Sequence, residues 1–263
     1  MSTILITGAT SGLGRHLAFE LVRSGHVVLA HGRDPGRTER LVEELRTEGD
    51  AEAFVADLAS LAEVRELGAR VADARPDLDV LINNAGIGAG APGTGREVST
   101  DGHELRLAVN YLAPVALIRA LLPVLRANAP TRIVNVGSVG QDPVDFDDIE
   151  FRRGYDGFAA YRRAKFALAA HTFTLAEELA GTGVAVNVLH PATFMDTAMV
   201  REGEFTPWST VADGAPGVLA LATQDVGTGG YFDGTSPARA HEETYDRDVQ
   251  KRLAAVTDQL LAL

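Results

Sequence analysis

The chain has 263 residues, a formal net charge of −12, 46% apolar and 23% charged residues, and no cysteine. This is globular composition with enough length for a core that needs no covalent staples, and the missing thiols exclude disulfide scaffolds, thiolate nucleophiles and Cys-ligated metal centres. The acidic excess sets nucleic acid and anionic membranes aside, because either would have to be gripped by a local basic patch against the field of the whole protein.

Short β-branched or aliphatic runs alternate with segments of helical period, the pattern of βαβ units and a parallel sheet. It predicts strands over 3–7, 26–31, 52–56, 79–82, 131–136 and 184–189, with a seventh near 228–232. Helices are predicted over 13–24, 35–48, 60–74, 103–127, 158–181 and 210–223, followed by a charged amphipathic tail from Glu242 to Leu261. No linker and no repeat divides the chain, so the expectation is one doubly wound α/β domain over 1–263. The opening Met1 to Ile6 has neither a positive n-region nor a long apolar h-region. The apolar stretch Tyr111 to Leu125 is interrupted by Pro114, Arg119 and Pro123. On these grounds no secretion signal and no membrane span are expected, and the protein reads as cytoplasmic.

Behind the first strand stands Thr7-Gly8-Ala9-Thr10-Ser11-Gly12-Leu13-Gly14, opening the first helix. A glycine-rich strand-to-helix turn lets backbone approach a pyrophosphate and aims the unpaired N–H groups of the helix N-terminus at it. A tight turn that uses glycine for backbone reasons alone would read the same locally; the position in the first βα unit favours the dinucleotide. Far downstream, Tyr161 and Lys165 stand four residues apart on a predicted helix, hence on one face. With five tyrosines and two lysines in the chain, such a pair arises in about 4% of shuffled sequences. Of the 24 basic residues 22 are arginine, the compositional mark of a high-GC bacterium, yet position 165 holds lysine. A compact ammonium fits beside a phenol where a planar guanidinium would not. Such a cation is expected to lower the phenol pKa and ready it to exchange a proton with a carbonyl or alcohol oxygen. Ser138 follows the strand over 131–136, at the end where open α/β sheets place ligands. Asn110 sits inside a long predicted helix, where asparagine is a mediocre helix former and calls for a local reason.

Although the glycine spacing is G-x-x-x-G-x-G rather than G-x-G-x-x-G, these residues together resemble the short-chain dehydrogenase/reductase family, in its retinol-dehydrogenase-like branch, over essentially the whole chain. The resemblance implies a Rossmann sheet of about seven strands with helices on both faces. Its glycine motif maps onto Thr7, Gly8, Gly12 and Gly14, with Thr10, Ser11 and Leu13 completing the cofactor turn. Asp57-Leu58 would lie beside the adenine, and Asn84-Ala85-Gly86 follows Asn83 after the fourth strand. The implied catalytic set is Asn110, Ser138, Tyr161 and Lys165, with Tyr161 and Lys165 also touching the cofactor. Ser138 would hold the substrate oxygen and Asn110 a water linked to the lysine. Pro191 and Thr193, in His190-Pro191-Ala192-Thr193 where many relatives have Pro-Gly, would meet the nicotinamide. No metal is expected.

NAD-preferring enzymes place an acidic residue about 20 residues past the glycine turn. Here Gly32 occupies that place and Arg33 follows, a guanidinium able to grip a 2′-phosphate, so the expected cofactor is NADP(H). Substrate loops are expected near 88–97, 139–160 and 194–210. The gap from Ser138 to Tyr161 exceeds the family's usual one, resembling the longer loop of the retinol-dehydrogenase-like branch, and the acidic half of that loop reads as a solvated face. Phe194, Met195, Met199, Phe205 and Trp208 crowd one short stretch, either as packing of a short helix or as a lid over an apolar substrate. The leading expectation is therefore an oxidoreductase acting on bulky, mostly apolar ketones, aldehydes or the corresponding alcohols. An epimerase or dehydratase of the same fold and a non-catalytic NADP(H)-sensing regulator are the alternatives. The resemblance implies a homodimer or homotetramer, against which the longer loop and the tail weigh.

Overall fold

A computed structural model describes residues 1–262. Its strands are β1 (Thr3–Ile6), β2 (Val27–Gly32), β3 (Ala51–Val55), β4 (Leu78–Asn83), β5 (Thr131–Val136), β6 (Val184–His190), β7 (Tyr231–Asp233) and β8 (Ser236–Ala238). They form one sheet in the order β3-β2-β1-β4-β5-β6-β7-β8. All neighbours are parallel except β7 and β8, which form a hairpin. The eighth strand was not expected from the sequence. Ser236-Pro237-Ala238 is short, exposed and carries a proline, which only an edge strand accommodates because its missing N–H is not needed by a further neighbour. Gly234, with φ +56°, makes the turn into it.

The α-helices are α1 (Gly12–Arg23), α2 (Pro35–Leu45), α3 (Leu61–Ala74), α4 (Leu105–Ala127), α5 (Gly157–Glu178), α6 (Ala198–Glu202), α7 (Val211–Thr223) and α8 (Arg247–Leu261), the last preceded by a 3-10 turn over Glu242–Tyr245. Strand residues alternate between two apolar cores, one on each face of the sheet. Leu5, Leu29, Leu81 and Ile133 belong to one; Ile4, Ile6, Val28, Ile82 and Val134 belong to the other. This two-sided burial is why the strands read as continuous apolar runs. The strand order runs outward in opposite directions from β1 and β4, which opens a crevice at the carboxyl ends of these parallel strands.

The prolines do not break α4. A π-helical turn over Ala108–Leu112 widens the helix where the ring of Pro114 would otherwise meet the Asn110 carbonyl four residues back. The helix is long and apolar enough to cross a membrane by length and composition, but 72% of its apolar window is buried inside the fold. The tail likewise packs on its own chain: Leu253 and Leu261 of α8 join the core, and Thr257 meets the buried Tyr111 hydroxyl at 2.5 Å.

Candidate active site

The glycine turn is shaped by close approach on every side. Gly8 and Gly12 have φ of +68° and +53°. A Cβ on Gly14 would stand 2.3 Å from the Gly8 carbonyl oxygen and 2.5 Å from the Asn84 amide, and one on Gly8 would stand 2.8 Å from Cα of Ala85. Asn84 fixes the turn to the end of β4 by donating to the carbonyls of Thr7 (2.9 Å) and Gly8 (3.2 Å), while Thr7 Oγ1 accepts the N–H groups of Asn84 and Ala85. Ser11 caps α1 through its backbone alone, and no acidic side chain stands in the first turn, so the helix N-terminus keeps its positive end for an anion. Leu13 is buried in the core and offers only its backbone to the turn. Thr10 is half-buried beside Gly32.

His31 was not singled out in the sequence, yet it buttresses this turn. Its Nδ1 accepts the Gly8 N–H at 3.2 Å and its Nε2 donates to the Ala56 carbonyl at 3.1 Å. Burial pushes its pKa down to about 4, so the ring is neutral and the acceptor at Nδ1 is permanent near neutral pH. A histidine closing the apolar run Val27-Val28-Leu29-Ala30 was the available signal.

The four side chains expected to carry the chemistry, Asn110, Ser138, Tyr161 and Lys165, come together at the crevice. Ser138 follows β5, and Tyr161 and Lys165 lie one turn apart near the start of α5. Lys165 Nζ sits 5.8 Å from the Tyr161 ring centroid and donates to the Val136 carbonyl at 2.7 Å. Burial lowers its pKa to about 8. The phenol behaves otherwise than expected: burial raises its pKa, and the neighbouring Ser138 side chain pulls the other way without reversing it. The reason is desolvation, which penalises phenolate more than an ammonium itself turned toward a main-chain carbonyl can offset. Asn110 lies in the π-helical turn, the kind of irregularity that recurs at functional sites. Its side chain clamps Ile87 by accepting the N–H and donating to the carbonyl, both at 2.9 Å. A Cβ on Gly86 would be 3.1 Å from Asn110 Oδ1 and 3.7 Å from Lys165 Nζ, so a side chain there would press on the Asn110 clamp.

Arg33 is exposed at the end of β2 and has no hydrogen-bond or ion-pair partner among the described residues. Gly32 beside it has no room for a carboxylate, because a Cβ there would lie 2.5 Å from Thr10 Cγ2 and Thr38 Oγ1. Asp57 accepts the Ala59 N–H at 2.9 Å at the entrance to α3, and Leu58 is buried in the core. Pro191 is buried, and the Thr193 hydroxyl is tied to His190 Nε2 at 3.0 Å.

The acidic half of the loop between Ser138 and α5 is not a solvated face. Glu150 is buried, bonded to His103 Nδ1 (2.6 Å), Arg96 Nη2 (3.2 Å) and the Glu104 N–H (2.8 Å). Burial alone would raise its pKa, but those partners hold it below the usual range. Val144, Phe146 and Ile149 pack against the core. Arg106, also buried, donates to the carbonyls of Gly88 and Ala89, so the loop over 88–97 is anchored from below. Over 194–208 the chain folds back across the crevice. Phe194, held at φ +44°, stacks on Phe205 at 4.9 Å and meets Trp208 edge-on at 5.1 Å. Thr197 reaches within 3.2 Å of where a Cβ on Gly12 would be, and Met199 within 2.8 Å of one on Gly88.

The sequence model described as short chain dehydrogenase matches residues 2–206. The chain belongs to the short-chain dehydrogenase family. It is 32% identical to human retinol dehydrogenase 13, over 99% of this chain and 85% of that one. A crystal structure of an uncharacterized protein from Mycobacterium Paratuberculosis superposes with a TM-score of 0.83 at 31% identity, covering 100% of this chain and 94% of the other. The Pseudomonas aeruginosa RhlG/NADP active-site complex does so with a TM-score of 0.73 at 29% identity, over 88% and 94% of the two chains.

Proposed function

We propose that this short-chain dehydrogenase is an NADP(H)-dependent oxidoreductase, acting as one domain on bulky, mostly apolar ketones or aldehydes, or on the corresponding alcohols. The observation that carries the reading is the meeting of Ser138, Tyr161 and Lys165 beside a glycine turn that any Cβ at position 14 would close. The residues present fit a dinucleotide. The uncapped N-terminus of α1 and the backbone from Gly8 to Gly14 would hold the diphosphate. Arg33 would grip a 2′-phosphate, and the crowding at Gly32 removes the acidic competitor. The likeness to RhlG, whose structure is a complex with NADP, supports the same choice. When bound, the cofactor supplies or accepts the hydride.

The protein's own residues orient and move a proton. Ser138 hydrogen-bonds the substrate oxygen. Tyr161, kept neutral by burial, gives its phenolic proton to that oxygen as the carbonyl carbon is reduced, and takes one back in the reverse direction. Lys165 places positive charge near the phenol as negative charge develops there. Asn110, by clamping Ile87, fixes the backbone next to Gly86. The aromatic group of Phe158, Phe194, Phe205 and Trp208 beside the crevice supports an apolar substrate, as does the likeness to a retinol dehydrogenase.

The test is a spectrophotometric screen of NADPH consumption across aromatic, steroid-like, terpenoid and polyketide-like carbonyls, repeated with Tyr161→Phe and with NADH. The expected outcome is turnover of bulky carbonyls, a lower KM for NADPH than NADH, and loss of turnover by orders of magnitude in Tyr161→Phe with NADPH binding retained. Best turnover of small charged oxo-acids would refute the substrate class, and equal KM values would refute the cofactor choice.

A further inference from the structure

Ser138 lies in the loop leaving β5, so its hydroxyl is placed only as well as its backbone is held. Two side chains hold that backbone. The Gln141 amide donates to the Ser138 carbonyl at 2.8 Å, and the Tyr231 hydroxyl donates to the same oxygen at 3.0 Å. Both side chains are buried, 6% and 5% exposed. Gln141 is fixed in turn, since its Oε1 accepts the His241 N–H at 3.0 Å. On the other side the Ser138 Oγ accepts the Gly140 N–H at 3.1 Å, so the serine's carbonyl and hydroxyl belong to one bonded turn and move together.

Tyr231 opens β7, beyond residue 206 where the family match ends. Its ring packs with Ala169, Phe173 and Val188, so the hydroxyl is delivered by a fixed aromatic body. Burial holds its phenol pKa well above the ordinary value, which makes it a donor at every working pH. Its proton is committed to the Ser138 carbonyl, so it is not a rival acid to Tyr161. Loop carbonyls are ordinarily satisfied by water; two buried donors converging on one oxygen, one from the same turn and one from a distant strand, over-determine its place.

We infer that Tyr231, with Gln141 beside it, is a positioning residue that sets the Ser138 hydroxyl against Tyr161 through the Ser138 carbonyl; this rests on the catalytic role proposed for Ser138. The C-terminal segment thereby completes the active site without touching the substrate. A supporting shell of this kind matters because reacting groups must be held to within about half an ångström.

Tyr231→Phe removes one oxygen and keeps the ring. With the carbonyl turned over best in the screen, kcat is expected to fall about tenfold while Kd for NADPH stays unchanged. In a Ser138→Ala background the same substitution should change kcat less than about twofold, because there is no hydroxyl left to misplace. Wild-type kcat in Tyr231→Phe, or the same fractional loss in both backgrounds, overturns the inference; the latter result is what a general structural role would give. Wild-type rate in Ser138→Ala overturns the catalytic reading itself, whereas a crippled Ser138→Ala beside an unaffected Tyr231→Phe overturns only the positioning role. A crystal structure of Tyr231→Phe gives an answer independent of turnover: Ser138 Oγ should shift relative to Tyr161, and an unmoved serine counts against the inference.

Discussion

Replacing His31 by leucine separates two contributions that one ring makes to the glycine turn. The imidazole is 2% exposed and uses both nitrogens, one for the Gly8 N–H and one for the Ala56 carbonyl. Leucine would strand both partners, each at a cost of about 1–3 kcal/mol, so the variant should be less stable by about 2–6 kcal/mol at pH 7.5. The histidine also titrates. Its pKa falls from an ordinary 6.5 to about 4 in the folded protein, so between those values the unfolded chain binds a proton that the folded chain refuses. This stability is fully present above pH 6.5 and lost as pH falls toward 4, by about 3 kcal/mol. Protonation would set an N–H on Nδ1 against the Gly8 N–H, which is why the folded state resists it. Urea unfolding of wild type and His31→Leu at pH 7.5, 6.0 and 4.5 measures the difference, in which the other titrating groups cancel. The gap should narrow by about 2–3 kcal/mol across that range. A gap of constant size would show that His31 does not titrate as its burial requires.

Gly14→Ala should abolish NADPH binding as measured by fluorescence titration, because its methyl would lie 2.3 Å from the Gly8 carbonyl oxygen and force the turn apart. With Lys165 charged only below about pH 8, kcat/KM for carbonyl reduction should fall as pH rises through that value, approaching tenfold per unit; a flat profile to pH 9.5 would count against a required ammonium. Glu150→Gln leaves His103 and Arg96 without their buried carboxylate and should cost about 3 kcal/mol of stability in urea unfolding. Trp208→Ala removes the most exposed member of the aromatic group and should lower kcat/KM for bulky carbonyls about tenfold while leaving small ones unchanged.

The elements that bury apolar side chains on both faces were legible. Strand runs such as Val27-Val28-Leu29-Ala30 and the glycine turn state their periods and breaks in the sequence itself, and the spacing of Tyr161 and Lys165 places them on one face of α5. Less legible were features that depend on partners far along the chain. Glu150 looks like one more charge in an acidic loop until His103, Arg96 and the Glu104 N–H surround it. Residues 236–238 have no strand pattern of their own and pair only because β7 presents an edge. Pro114 and Asn110 each looked out of place in a helix, and the π-helical turn accounts for both. Such departures from local preference gather where tertiary structure imposes a functional geometry.

The same principle governs the electrostatics, where proximity of Lys165 to Tyr161 suggested an acidified phenol and burial produced the reverse. Desolvation raises the phenol and lowers the ammonium, so both groups are driven toward their neutral forms. A neutral phenol is the state a proton donor must occupy before reduction, and an ammonium with a pKa near 8 is still charged at neutral pH. Phenolate is therefore costly in the resting site and becomes acceptable only as the phenol hands its proton to an oxygen gaining negative charge. The lysine's charge then acts on that charge in surroundings of low dielectric, where its effect exceeds what it would be in water. An arginine at position 165 would keep its charge through every condition but could not follow the compact path to the Val136 carbonyl, so Lys165→Arg should leave the site cationic and still impair turnover.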